Sequence, residues 1–255
     1  MTASGRPPLM PQVVGHRGAA AVAPENTLAG FRAAAECGAR WIEVDVALTA
    51  DGVPVLLHDE TLDRTSTGKG SIAAMRAADA ARLDAGSWFS PRFAGEPLPT
   101  LEAALAEAVR LDLGLNLEIK PTPGRARETA RVTCAMVRRL WPARMARPVL
   151  SSFQIDALEE ALSVAAELPR GLLLEQDWPG DAASWAKEAR RLGCASIHPQ
   201  HRMVDAAAAR TVTGDGFALA VYTVNDGARA RELVALGVDT VITDKPDAIL
   251  AALAA

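Results

Sequence analysis

The chain has 255 residues, 49% of them hydrophobic, and a net charge of −4 from 27 basic and 31 acidic residues. That length excludes a small stapled domain and suits one barrel or one large α/β domain, which would bury roughly 70–75% of the unfolded chain's surface without disulfides or a structural metal. A nearly balanced charge without charged blocks argues against nucleic acid as a partner.

In chain order, the opening MTASGRPPLMP places prolines where a signal peptide needs an apolar core, and no later run approaches ~18 uncharged apolar residues. A soluble cytoplasmic protein without membrane insertion is the expectation. A short strand over 12–15 then delivers His16 and Arg17 side by side. PENT starts a helix in which Leu28, Phe31 and Ala35 share a face and Gly38 supplies the stop. A strand over 41–46 leads through the hairpin-like turn Thr49-Ala50-Asp51-Gly52 to an extra β-type run over 53–57, which ends at His58. The stretch 59–99 is rich in Gly, Ser and Thr and carries Trp88, Phe89 and Phe93. A connection of that length in a compact domain is a functional insertion or a small cap.

Further strands are expected over 115–119, 148–152, 171–174, 195–198, 217–222 and 239–243, with helical periodicity between most of them. Asn225-Asp226 and Asp244 read as N-caps of the last two helices. Eight strands, each followed by a helical segment, predict a (β/α)8 TIM barrel. An open doubly wound sheet is the alternative, but no GxGxxG follows the first strand. With no repeat and no linker, residues 1–255 read as one domain with an insertion at about 59–99. Cys37, Cys134 and Cys194 are far apart and form no CxxC pair, which suggests buried reduced thiols and a reducing compartment.

Chemistry concentrates at strand ends. In WIEVDV the side chains alternate, so Ile42, Val44 and Val46 face the helices while Glu43 and Asp45 point inward. In LNLEIK, Leu115, Leu117 and Ile119 face out, and Asn116, Glu118 and Lys120 face in. Three inward carboxylates would repel one another unless something positive joined them. Oxygen ligands without cysteine favour a hard cation, Mg2+ or Ca2+. The alternative is that Arg17 and Lys120 merely pair with these acids. The unperturbed histidine pKa of about 6.5 suits one of His16 and His58 to take a proton and the other to give one, while Arg17 and Lys120 offer fixed positive charge to an anion. Together these residues describe phosphoryl transfer on an ester. With no Walker loop or kinase motif, a phosphodiester fits best.

GHRG, PENT, EVDV, HDETLDRTSTGKG, LDAGSWF, PTLEAAL, LEIKP, SSF, VYTVN and TDKPD follow one another in that order. The set resembles the glycerophosphodiester phosphodiesterases, of the short cytoplasmic bacterial type, from about residue 13 to residue 250. The resemblance implies a TIM barrel with a small insertion after the second strand, and hydrolysis of a small-molecule glycerophosphodiester to sn-glycerol 3-phosphate and an alcohol. It implies that Glu43, Asp45 and Glu118 bind one divalent cation, that His16 and His58 are the acid–base pair, and that Arg17 and Lys120 hold the phosphate. Tyr222 stands where many relatives have Trp and either shapes the glycerol pocket or is an aromatic of the barrel core.

Other positions stay open. Asn26 is either an N-cap or a loop residue approaching the site, and His198 either lines the mouth or packs in the core. His201 reads as surface. Glu175, Gln176 and Trp178 sit where a loop after the strand contacts the leaving alcohol, and Trp88 and Phe89 either staple the insertion to the barrel or cover the site. A related barrel phospholipase of the sphingomyelinase D or phosphatidylinositol-cleaving kind, and a non-catalytic phosphate-ester-binding barrel, are the competing readings.

Overall fold

A computed structural model describes residues 8–255; Met1–Pro7, part of the proline-bearing opening stretch, lie outside the described residues. The strands are β1 (Val13–His16), β2 (Trp41–Leu48), β3 (Pro54–Leu56), β4 (Gly114–Ile119), β5 (Val149–Ser152), β6 (Arg170–Leu174), β7 (Ser196–Pro199), β8 (Ala218–Val221) and β9 (Thr240–Thr243). Every expected strand is present, with ends displaced by at most two residues. The helices are α1 (Leu28–Glu36), α2 (Ala77–Ala80), α3 (Leu101–Arg110), α4 (Ala126–Leu140), α5 (Ile155–Val164), α6 (Ala182–Arg191), α7 (Ala206–Gly214), α8 (Gly227–Ala235) and α9 (Pro246–Ala254).

Strand pairing runs β1-β9-β8-β7-β6-β5-β4-β2 and returns to β1, all parallel, so eight strands close a (β/α)8 barrel. Alternation along the strands decides what faces where. Ile42, Val44, Val46, Leu115, Leu117 and Ile119 are essentially inaccessible and pack against Phe31, Leu101, Leu105 and Val137 of the helical layer. Burying each such side chain contributes about 1.5–3 kcal/mol before conformational entropy is subtracted. Inside, Val14, Trp41, Val149, Ala220 and Ile242 fill the floor. Two glycines make that floor possible: a Cβ on Gly114 would sit 2.1 Å from the Trp41 indole, and one on Gly171 would sit 2.6 Å from the His198 ring.

Arg170 shows how a buried charge is accommodated without a carboxylate. Its guanidinium donates to the carbonyls of Leu168 and Gly193, both at 2.7 Å, and more loosely to Ala165, Ala166 and Leu192. It therefore collects carbonyls just beyond the ends of α5 and α6, where the helix dipoles are negative.

β1 stops at His16, opposite Glu43, so the edge of β2 beyond that point has no barrel neighbour on that side. The hairpin covers it: β3 pairs antiparallel with Val46, Ala47 and Leu48, and the Leu57 N–H donates to Asp45 O. This turn-back delivers His58 to the barrel mouth. The following excursion, 59–99, has its own apolar cluster, in which Leu62, Ile72, Ala80, Ala85 and Leu98 pack against Ala47 and Val55.

Three local expectations are corrected. In α1, Phe31 and Ala34 are buried and Ala35 packs against the same core from a half-buried position, while Leu28 is half-buried; the Gly18 backbone passes close by, so that a Cβ on Gly18 would meet Gly30 at 2.8 Å. Thr27, not Asn26, caps α1 by accepting from Gly30 N at 3.1 Å. Asp226 caps α8, but neither Asn225 nor Asp244 is a helix cap; α9 starts at Lys245-Pro246, and the Asp244 side chain is used elsewhere.

Candidate active site

The parallel register sets Asp45 beside Glu118, and His16 beside Glu43. One carboxylate oxygen from each of Glu43, Asp45 and Glu118 lies within 4.8 Å of the other two, and all three residues are buried. Glu43 accepts from the Arg17 backbone N–H at 3.2 Å. Asp45 Oδ2 accepts from Asn26 Nδ2 at 2.8 Å, and Asn26 Oδ1 in turn accepts from the Asp45 N–H. Lys120 Nζ stands 3.3 Å from Glu118 and 3.8 Å from Asp45, with the Phe153 ring 5.8 Å away. Arg17 and Asn26 both adopt left-handed backbone, at φ 52° and 56°, and are tied together by the Asn26 N–H to Arg17 O. Such strain in non-glycine residues persists where surrounding bonds over-determine it.

The electrostatics are unbalanced. Burial, with Asp45 and Glu118 adding repulsion, pushes Glu43 well above the carboxylate range. Burial and Asp45 raise Glu118 to about 7 despite Lys120. Desolvation also works against Asp45, but Arg17, Lys120 and His58 outweigh it and hold Asp45 below its ordinary value. Arg17 overcomes its own burial through Asp45, Glu25 and Glu43. Two cations thus leave three acids incompletely neutralised, and an all-oxygen cluster of this kind is suited to a divalent cation.

The two histidines stand on either side of the carboxylates. His16 Nδ1 donates to Asp244 Oδ1 at 2.6 Å, which leaves Nε2 bare on the side of Glu43, 3.9 Å away. Asn225 locks that acid, its Nδ2 donating to Asp244 Oδ2 at 2.5 Å while its Oδ1 accepts from the Asp244 N–H. Burial alone would raise Asp244, but the His16 hydrogen bond and Asn225 keep it low. His58 Nδ1 donates to Asp59 Oδ1 at 2.7 Å. Burial lowers the His58 pKa, Asp45 opposes that, and Arg17 and Lys120 reinforce it.

A cavity of about 160 Å³ is lined by His16, Arg17, Glu43, His58, Lys120 and Tyr222, among others. It adjoins a wider one of about 380 Å³ whose walls include Gln154, Asp177 and Trp178, and the two share His58, Glu118, Lys120, Phe153 and Glu175. Every site residue expected from the sequence therefore converges on one mouth. Tyr222 borders it with its ring, packed edge-on to Phe153 at 5.9 Å, while its hydroxyl is committed to Leu174 O at 2.8 Å. Asn26 reaches the site through Asp45. Glu175 and Trp178 line the wider cavity; Gln176 is not among its lining residues.

His198 is a core residue. It is inaccessible, paired with Ser196 Oγ at 2.8 Å, and lowered to about 4 by burial. His201 is half-buried against Arg229. Trp88, Phe89 and Phe93 pack edge to face on one another and line neither cavity, so they staple the excursion internally. Asp244, Asn225, Asp59, Glu25 and Arg64 escaped the sequence reading. For Asp244 the signal was present, an acid just past the last strand, which pairs with the first strand that His16 ends.

No helix among the described residues is long and apolar enough to cross a membrane. Residues 16–248 match the model of the glycerophosphoryl diester phosphodiesterase family. A glycerophosphodiester phosphodiesterase of Caldanaerobacter subterraneus subsp. tengcongensis is 33% identical over 242 residues, covering 93% of this chain and 96% of that protein. A solved phosphodiesterase of Oleispira antarctica, in complex with the product sn-glycerol-3-phosphate, superposes with a TM-score of 0.92 at 34% identity, covering 96% of this chain and 98% of that one. A glycerophosphodiester phosphodiesterase structure from Agrobacterium tumefaciens aligns at TM-score 0.79 and 32% identity, over 95% and 100% of the two chains. A shared barrel, near-complete coverage and a mouth of this composition lead to one conclusion: the chain belongs to the glycerophosphoryl diester phosphodiesterase family.

Proposed function

We propose that the chain hydrolyses glycerophosphodiesters to sn-glycerol 3-phosphate and an alcohol, in the cytoplasm, with His16 and His58 as the acid–base pair. The observation that carries this reading is the placement of the two histidines around the buried Glu43–Asp45–Glu118 cluster, each with Nδ1 tied to an aspartate.

Glu43, Asp45 and Glu118 would hold one Mg2+ or Ca2+, and the incomplete neutralisation of these acids supports that assignment. When bound, such an ion supplies Lewis acidity toward the phosphate and toward an attacking hydroxyl. Arg17 and Lys120, positive at the same mouth, bind and orient the phosphate oxygens. Tyr222, its hydroxyl already satisfied, offers the glycerol moiety an aromatic wall.

The cavities distinguish the histidines. His16 borders only the smaller one, with bare Nε2 toward Glu43, and accepts the proton of the attacking oxygen. Asp244 stabilises the imidazolium so formed. His58 borders both cavities and donates to the oxygen of the leaving alcohol, which lies in the wider one beside Trp178. Burial lowers the His58 pKa in the free protein, and the arriving phosphodiester anion favours the protonated form that the acid role requires. The attacking oxygen is the glycerol 2-hydroxyl, already held next to the phosphorus, so that its attack gives a cyclic phosphate that water then opens with the two roles exchanged.

Purified protein incubated with a panel of glycerophosphodiesters should release sn-glycerol 3-phosphate, lose that activity in excess chelator and regain it with Mg2+ or Ca2+. Full turnover in exhaustively metal-free protein would remove the cation from the reading, and no release from any diester would remove the activity.

A further inference from the structure

Arg64 lines neither cavity, and its side chain is 44% exposed, yet its guanidinium makes four hydrogen bonds to two carboxylates. Nη1 and Nη2 donate to Glu25 Oε2 and Oε1 at 2.7 and 2.8 Å. Nε and Nη2 donate to Asp59 Oδ2 and Oδ1 at 2.7 and 3.0 Å. Each carboxylate passes the tie inward. Glu25 Oε1 accepts from Arg17 Nη1 at 2.7 Å, and Asp59 Oδ1 accepts from His58 Nδ1 at 2.7 Å. A continuous path, Arg17–Glu25–Arg64–Asp59–His58, therefore joins the anion-holding arginine to the acid–base histidine through Glu25 and Arg64, which line neither cavity.

We propose that Arg64 is a positioning residue for the reaction, fixing His58 through Asp59 and Arg17 through Glu25. The inference rests on His58 as the acid, as assigned above. Asp59 follows His58 directly on the loop after β3, and its side chain is 28% exposed. With one tie only, it is free to turn to water and release the ring; the bidentate guanidinium takes both of its oxygens and removes that freedom. Glu25 comes from a different loop, between β1 and α1, so Arg64 also sets the distance between two loops that share no strand pairing. A planar fork of five donors can hold two carboxylates at once, which a lysine ammonium cannot match.

The mount is firm. Leu62 is fully buried in the apolar cluster of the excursion, its N–H donates to Gly70 O at 3.0 Å, and its carbonyl accepts from Ser66 Oγ at 2.8 Å. The excursion 59–99 thereby contributes to catalysis, and its first residues, Asp59 and Glu60, line the wider cavity.

The test uses two glycerophosphate diesters, one with an ethanol leaving group, which needs a proton, and one with p-nitrophenol, which departs without one. H58A on this pair calibrates the acid role. R64Q should lower the single-turnover rate of alcohol release, the step in which His58 is the acid, by about 10–100-fold on the ethyl ester, the usual scale for an outer supporting partner, and lower it far less on the p-nitrophenyl ester. D59N should copy this effect, and E25Q should chiefly raise KM. R64K should recover little, while guanidinium ion added to R64A should restore activity that methylammonium does not. The melting temperature should stay near that of the parent. Wild-type release rates in R64Q, or equal losses of release rate on both esters while H58A discriminates between them, would overturn the proposal. If H58A itself fails to discriminate, the acid assignment falls instead, and a ratio in R64Q different from that of H58A overturns the Arg64 proposal.

Discussion

Glu118→Gln is expected to stabilise the metal-free protein at alkaline pH while disabling its chemistry. Glu118 is raised from 4.5 to about 7 by burial and by Asp45, so ionising it costs the fold about 3 kcal/mol relative to the unfolded chain. A folded value above the unfolded one means that the protonated form is the one favoured in the fold. Stability is therefore complete below pH 4.5, declines as pH rises, and the loss is full once pH passes about 7. Glutamine removes that loss and adds a buried amide with imperfect partners, which costs about 1 kcal/mol. The variant should exceed the parent by about 2 kcal/mol at pH 8, which is about 4–8 °C in Tm for a chain of this size, with no advantage near pH 5. Thermal unfolding followed by circular dichroism, in excess chelator at both pH values, measures this. Mg2+ or Ca2+ at about 100 times its Kd should then stabilise the parent by about 2.7 kcal/mol, and the variant much less. A variant less stable than the parent at pH 8 without metal would refute the repulsion, and one stabilised equally by the cation would refute the ligand assignment.

Four further outcomes are expected. His16→Ala and His58→Ala should each lose about 10²–10⁴-fold in kcat on an alkyl diester with little change in folding, and near-parental turnover would exclude that histidine from proton transfer. Lys120→Met should lower kcat/KM by weakening both substrate and transition-state binding, measured by steady-state kinetics. A 2-deoxy glycerol diester with the natural leaving alcohol should bind yet turn over scarcely at all; hydrolysis at the natural rate would make water the nucleophile. Gly114→Ala should destabilise by about 1–3 kcal/mol through overpacking against Trp41, and adding Trp41→Leu should recover part of that in urea unfolding.

The sequence by itself determined the barrel and the inward acids. Strict alternation in WIEVDV and LNLEIK leaves one orientation that buries Ile42, Val44, Leu115 and Leu117, and that orientation turns Glu43, Asp45 and Glu118 to the interior. Strand-end positions likewise announced His16 and His58. Neighbours far apart in the chain were beyond its reach. Asp244 looked like a helix cap because local spacing cannot show that closing the barrel pairs the last strand with the first, setting an acid 228 positions away against His16. His198 could have faced the mouth or the floor, and only the depth of its strand and the room left by Gly171 placed it below. Arg64 lay in a stretch without periodicity, where composition says only that a loop is present. Side-chain hydrogen bonds between loops depend on angles that residue identity does not encode, so the supporting layer of the site was decided by the tertiary structure alone.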